Sequence, residues 1–155
     1  MKKTILLFTL VFGFNLVSAQ SDVITKQIGE VLKGKIIKAD DNTIVFTYDG
    51  QGTEYIIGKY AVAKIVYGKT GREEKTSNKI VVSGENDWSK VIVVENIDYT
   101  AGLEKGREIG TASNFISGDE IATKKLKMEA AKQGYPFVLI SLDSASNRKA
   151  TGYSY

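Results

Sequence analysis

The 155-residue chain has no cysteine and no histidine, and only one proline and one tryptophan. Without cysteine no disulfide can staple the fold, so apolar burial alone must hold it together, and a lipid-modified cysteine is excluded. Without histidine, Ser-His and Cys-His nucleophilic mechanisms are excluded, because nothing is present to take the nucleophile's proton. The two absences together remove the soft and borderline ligands that hold zinc or copper, and no cofactor is expected. Lysine and arginine form no dense run, which argues against a nucleic-acid partner, since phosphate neutralisation needs a basic stripe. Hydrophobic residues nevertheless make up 43% of the chain, enough for a modest core.

One long apolar run is present, and it lies at the N-terminus. Lys2 and Lys3 precede it, Ile5 to Val17 form it, and Val17-Ser18-Ala19 supplies a small-residue cleavage site, the pattern of an export signal. At about 13 residues, and broken by Gly13 and Asn15, the run is shorter than the roughly 20 that a spanning helix needs. A cleaved leader over residues 1–19, cut between Ala19 and Gln20, is therefore preferred to a retained anchor. Loss of Lys2 and Lys3 leaves 19 cationic against 18 acidic side chains, so the formal charge falls from +3 to +1. The expected product is periplasmic or secreted and soluble after signal cleavage.

Residues 20–75 read as short strands between turns. Gly29 to Lys38 is a strand candidate broken by Gly34, and Asp40-Asp41-Asn42 is a turn. Thr43 to Tyr48 alternates, with Ile44, Phe46 and Tyr48 on one face and Thr43, Val45 and Thr47 on the other. Asp49-Gly50-Gln51-Gly52 connects a hairpin to a strand from Thr53 to Ile57. A kink at Lys59-Tyr60-Ala61 leads to an alternating strand through Ala63, Ile65 and Tyr67, closed by Gly68-Lys69-Thr70-Gly71.

The order of these pieces, carried by the pattern GxIxxxDDNTIVFTY from Gly34 and by YIIGKYAVAKIVYGKTG from Tyr55, resembles the SH3-like small barrels of bacterial envelope proteins. The resemblance implies a five-stranded β-barrel with a single helical turn before its last strand.

Residues 76–90 are read as a linker of charged and small residues, with Ile80 to Val82 as a candidate short strand. Residues 91–155 form the second expected module. Val91 to Val94 suits a strand buried on both faces, and Leu103 to Ala112 is a weaker strand interrupted by Gly106 and Gly110. A helix is expected from about Gly118 to Gln133. Ser117 and Glu120 have capping-box spacing, Asp119 and Glu120 suit its positive end, and Ala122, Leu126 and Ala130 form a narrow apolar stripe. Gly134 and Pro136 stop it. Phe137 to Leu142 reads as a central strand, Asp143 to Lys149 as a turn, and Thr151 to Tyr155 as a last short strand. The fold class is α+β, mostly β.

The segment ATKKLKMEAAKQGYPFVLI from Ala122, preceded by GLEKGREIGTAS from Gly102, resembles the YbjQ-like and RcsF-like modules of bacterial envelope and cytoplasmic proteins. Some YbjQ-like proteins are labelled heavy-metal binders and some form rings, while RcsF-like proteins sense envelope stress and depend on disulfides. This chain departs from both in having neither cysteine nor histidine.

Catalytic constellations are sparse. Ser83 with Lys79 or Lys90 could form a serine-lysine pair, and Glu85 with Asp87 or Asp119 with Glu120 supply neighbouring carboxylates, but such residues are common in loops and first helical turns. Gly68-Lys69-Thr70 lacks the earlier glycine and following helix of a phosphate-binding loop. Asp40, Asp41 and Asn42 lack the spacing of an EF-hand. Recognition is then carried by aromatics. Trp88, Tyr48 and Tyr60 are the candidate interaction surface, with Tyr55 and Tyr67 as further candidates for a groove. Trp88 serves either as an exposed anchor or, preferably, as a plug in the seam between the modules. The expected function is a non-catalytic envelope protein that binds or scaffolds an unidentified protein or envelope component, as a monomer or a homo-oligomer. The alternative is a small glycan- or peptidoglycan-active hydrolase that uses carboxylates.

Overall fold

Strand formation in the first half follows the alternation of its sequence. In the computed structural model, which describes residues 20–112, 114–142 and 148–155, Ile44 and Phe46 are buried while Thr43, Val45 and Thr47 are half-exposed. The leader expected over residues 1–19 and the turn core at 143–147 lie outside the described residues. Six strands form one antiparallel sheet: β1 (Asp22–Lys26), β2 (Val31–Ala39), β3 (Thr43–Tyr48), β4 (Glu54–Gly58), β5 (Val62–Val66) and β6 (Glu73–Lys75). Their order is β4-β3-β2-β1-β5-β6, and a single 3-10 turn at Lys59–Ala61 precedes β5. Ile24, Leu32, Ile44, Phe46, Ile57, Ala61, Val62 and Ile65 pack into one buried cluster, so the sheet curls over its own inner face.

The expected closed barrel is not formed. β4 and β6 are the terminal strands of an open sheet. The reason lies at those edges. β6 is only the charged triplet Glu73-Glu74-Lys75, paired with β5 alone. At β4, the Gly58 N–H donates to the Ala101 carbonyl, from a loop of the second half, at 2.8 Å. Gly34 does not break β2 either. A Cβ there would overlap the Thr47 carbonyl oxygen, so glycine lets β2 cross close over β3. The β2–β3 register then slips between Ile36 and Lys38, a bulge that leaves Ile37 exposed.

The second sheet has the order β7-β9-β10-β8, from β7 (Ile92–Val94), β8 (Glu104–Ala112), β9 (Phe137–Leu142) and β10 (Arg148–Ser154). β9 is central, as its apolar run indicates. β7 pairs with β9 in parallel and is an edge strand with only Val94 fully buried, so it is not covered on both faces. β8 continues as strand through Gly106 and Gly110, although its register with β10 slips beside each of them. The Tyr135 ring lies over Gly106 and Gly152, where any Cβ would strike it, and the Tyr135 hydroxyl accepts from the Arg107 N–H at 3.1 Å.

Helix α1 (Asn114–Lys132) buries Ala122, Leu126, Ala130 and Ala131 against Val91, Ile109, Val138 and Ala150. It begins four residues before the expected Gly118. Ser117 therefore lies inside its first turn rather than at the cap, and no acidic residue occupies that turn. Its end is as expected: Gly134 has φ +79°, its N–H donates to the Ala131 carbonyl, and the Tyr135 N–H donates to the Ala130 carbonyl, the paired bonds of a Schellman stop. Among the described residues no helix is long and apolar enough to cross a membrane.

Residues 76–84 contain no strand, so Ile80 to Val82 run as irregular chain, and Glu85–Lys90 form a 3-10 turn. This stretch is fixed at several points. The Gln27 amide donates to the Ser77 carbonyl and hydroxyl, both at 2.9 Å, and the Ile80 N–H donates to the Tyr155 hydroxyl at 2.9 Å. The sheets meet at Val94, Phe137 and Tyr153. There Tyr60 of the first half lies 5.2 Å from the Phe137 ring and Tyr155 packs edge-on to it at 5.4 Å. Phe137→Ala is expected to cost about 3–5 kcal/mol in urea unfolding. The Trp88 fluorescence and far-ultraviolet dichroism transitions should shift together, and a loss under about 1 kcal/mol would mean that the ring does not join the sheets.

Candidate functional site

Asp22 opens β1 and reaches both neighbouring strands. One carboxylate oxygen accepts from the Ile36 N–H on β2 and the other from the Gly68 N–H beyond β5, each at 2.8 Å. Gly68 has no room for a side chain, because a Cβ would overlap the carbonyl oxygen of Gln20. The segment Gly68-Lys69-Thr70-Gly71 is a hairpin turn between β5 and β6. The Gly71 N–H donates to the Tyr67 carbonyl at 2.7 Å, and the positive φ of Gly71, +67°, completes the reversal. Next to Asp22, the Ser21 hydroxyl donates to Asp49 at 2.7 Å.

These contacts frame a groove of about 800 Å³ at the end of the sheet that does not close. Its lining includes Ile36 and Tyr67 together with the cationic residues Lys35, Lys69 and Arg72. Arg72 stacks over the Tyr67 ring at 4.4 Å and pairs with Glu74 at 3.1 Å. Lys35 and Lys69 are exposed, and among the described residues neither is within ion-pair distance of a carboxylate. Both acids of the groove, by contrast, already accept hydrogen bonds from the protein.

Tyr67 donates its hydroxyl to Glu74 at 3.0 Å. Burial raises its pKa above the ordinary 10.0, the Glu74 hydrogen bond and negative charge add to this, and Arg72 opposes it. Tyr155 is raised by burial, with the Ile80 N–H opposing. In both cases folding favours the neutral phenol.

The aromatics singled out in the sequence do not converge. Tyr48 is half-buried in a trio with Phe46 at 5.1 Å and Tyr55 at 4.9 Å. Tyr60 lies in the seam between the sheets. Trp88 neither plugs that seam nor stands free. It packs on the core beneath α1, with the Lys124 and Lys127 ammonium groups 4.7 and 5.7 Å from its ring. Of the candidate tyrosines only Tyr67 lines the groove. The groove's other contributors, Asp22 and Lys35 above all, are single charged residues in strands and give no sequence motif.

Of the catalytic candidates, Ser83, Asp87 and Lys90 have structural partners, and the Asp119 side chain lies outside the described residues. The Ser83 N–H donates to Asp87 at 2.9 Å and Lys90 pairs with Asp87 at 2.6 Å. The Lys90 hydrogen bond, then that of the Ser83 N–H, hold the Asp87 pKa below its ordinary value, opposite to what a general acid requires. Asp40-Asp41-Asn42 form the β2–β3 turn, with Asp40 paired to Lys38 at 2.8 Å.

Asp22→Ala leaves two N–H groups without acceptors and is expected to cost about 1.5–3 kcal/mol in denaturant unfolding. An unchanged midpoint would show that water replaces the carboxylate. Because folding raises the pKa of Tyr67 and Tyr155, their stabilising contribution is complete below about pH 10 and is lost as pH rises through their folded values. Tyrosinate absorbance should show two late-titrating phenols, one removed by Tyr67→Phe and one by Tyr155→Phe.

No protein-family model, no curated protein and no solved structure matches this chain.

Proposed function

We propose that the chain is an exported, non-catalytic binding protein of the cell envelope, and that its ligand is a small anionic amphiphile held in the groove at the start of β1. One observation carries this reading. The two groove carboxylates, Asp22 and Asp49, accept hydrogen bonds from the protein, while Lys35 and Lys69, which also line the groove, have no carboxylate partner among the described residues. A positive rim over an apolar floor suits a ligand with an anionic head and an apolar body. The groove's volume falls within the roughly 300–1,000 Å³ usual for small-molecule sites.

The hydrolase reading has less support. A glycosidase needs one carboxyl free to donate a proton and another free to attack or to activate water. Asp22 is held by two N–H groups and Asp49 by the Ser21 hydroxyl. Neither is poised for that work.

The test is titration of the mature protein with 1-anilinonaphthalene-8-sulfonate, an aromatic anion of the proposed chemistry. One saturable site is expected, weakened by salt. Lys35→Glu with Lys69→Glu should reduce affinity about tenfold, equivalent to about 1.4 kcal/mol, with dichroism unchanged. Saturable binding that ignores both charge reversals, or none at all, would overturn the proposal.

A further inference from the structure

We infer that export processing finishes this groove: cleavage after Ala19 leaves the α-amino group of Gln20 on its rim, and cyclisation of Gln20 to 5-oxoproline removes that charge. The inference rests on the exported, groove-binding reading above and adds a modification site that regulates it.

Gln20 and Ser21 line the groove together with Lys35, Lys69 and Arg72. Their backbone is fixed there by three contacts that converge within three residues. The Gln20 carbonyl packs against Gly68 so closely that no Cβ fits, the Ser21 hydroxyl holds Asp49, and the Asp22 carboxylate spans β2 and the β5–β6 turn. A chain end created at residue 20 is therefore anchored, since covalent geometry keeps its nitrogen on the order of 3 Å from the fixed carbonyl oxygen.

An α-amino group has a pKa of about 7.7–8.0, so it is largely an ammonium at neutral pH. It would join Lys35 and Lys69, whose charges are unpaired among the described residues, whereas in an uncleaved chain the same nitrogen is an uncharged amide. Cleavage thus adds a cation to the groove.

Gln20 is exposed, leaving its side chain free to fold back on its own nitrogen. In the cyclisation the unprotonated α-amine attacks Cδ of the side-chain carboxamide. The new N–Cδ bond closes a five-membered lactam, the Cδ–Nε2 bond breaks, and the amide nitrogen leaves as ammonia with the proton released by the amine. No oxidant or co-reactant is consumed. The product has no ionisable amine, so the rim loses one positive charge with little added bulk.

Four forms of the mature protein test this with the same fluorescent sulfonate: free-amine Gln20, the same protein cyclised by a glutaminyl cyclase, Gln20→Ser, and a form extended by Gly-Ser-Gly ahead of Gln20. Mass spectrometry establishes the loss of one ammonia in the second. At neutral pH and low salt the free-amine Gln20 and Gln20→Ser forms should bind about three- to tenfold more tightly than the cyclised and extended forms. Cyclase treatment should leave Gln20→Ser unchanged. Equal saturable binding by all four overturns the inference while leaving the groove in place. Absence of saturable binding by every form overturns the groove reading and the inference with it.

Discussion

A chain without cysteine or histidine cannot staple two small sheets with a disulfide, and here the apolar contact between them converges on Phe137. Its ring is fully buried on the central strand of the second sheet, with Tyr60 from the first half on one side and Tyr155 on the other. The consequences extend past the ring. Tyr155 also accepts the Ile80 N–H, which fixes the irregular chain between the sheets, and the Gly58–Ala101 hydrogen bond occupies part of the β4 edge. An edge that is covered by the neighbouring unit cannot also close a barrel. The open first sheet is thus a result of how the halves are joined.

The groove lies at the other end of that sheet, where close backbone approach substitutes for closure. Gly34 lets β2 cross β3, Gly68 lets the β5–β6 turn lie against Gln20, and the Asp22 carboxylate ties both to β1. A side chain at either glycine would push these segments apart. The same contacts that satisfy these backbone donors therefore shape the cavity, and they hold the Asp22 carboxylate in a fixed position.

Much of the fold was legible because it depends on local periodicity. The alternation of Thr43 to Tyr48, the four-residue stripe of Ala122, Leu126 and Ala130, the Gly134 stop and the apolar run of β9 all carry their burial in their spacing. What failed depends on contacts distant in sequence. Barrel closure is decided by Ala101 meeting Gly58, the start of α1 lies before the capping signal at Ser117, and the edge position of β7 follows from β10 taking the far side of β9. Trp88 was read for the seam because it lies between the modules in sequence, but the 3-10 turn that carries it folds back onto α1. The groove was the least legible part. Tyr67 was noticed as an aromatic, whereas Asp22 and Lys35 acquire meaning only from what they face.

Net charge shows the same gap between composition and place. Once Lys2 and Lys3 are set aside the chain is close to neutral, which by itself suggests no preference for anionic ligands. Yet charges do not average over distances longer than the screening length of about 8–10 Å, so a groove responds to the groups on its own rim. There Asp22 and Asp49 accept backbone and hydroxyl hydrogen bonds, and Lys35, Lys69 and Arg72 outnumber them, the two lysines without a carboxylate partner among the described residues. A nearly neutral protein can therefore present a locally positive site. Where the sheet leaves its end open, cationic residues and the apolar surface of Ile36 and Tyr67 line one groove.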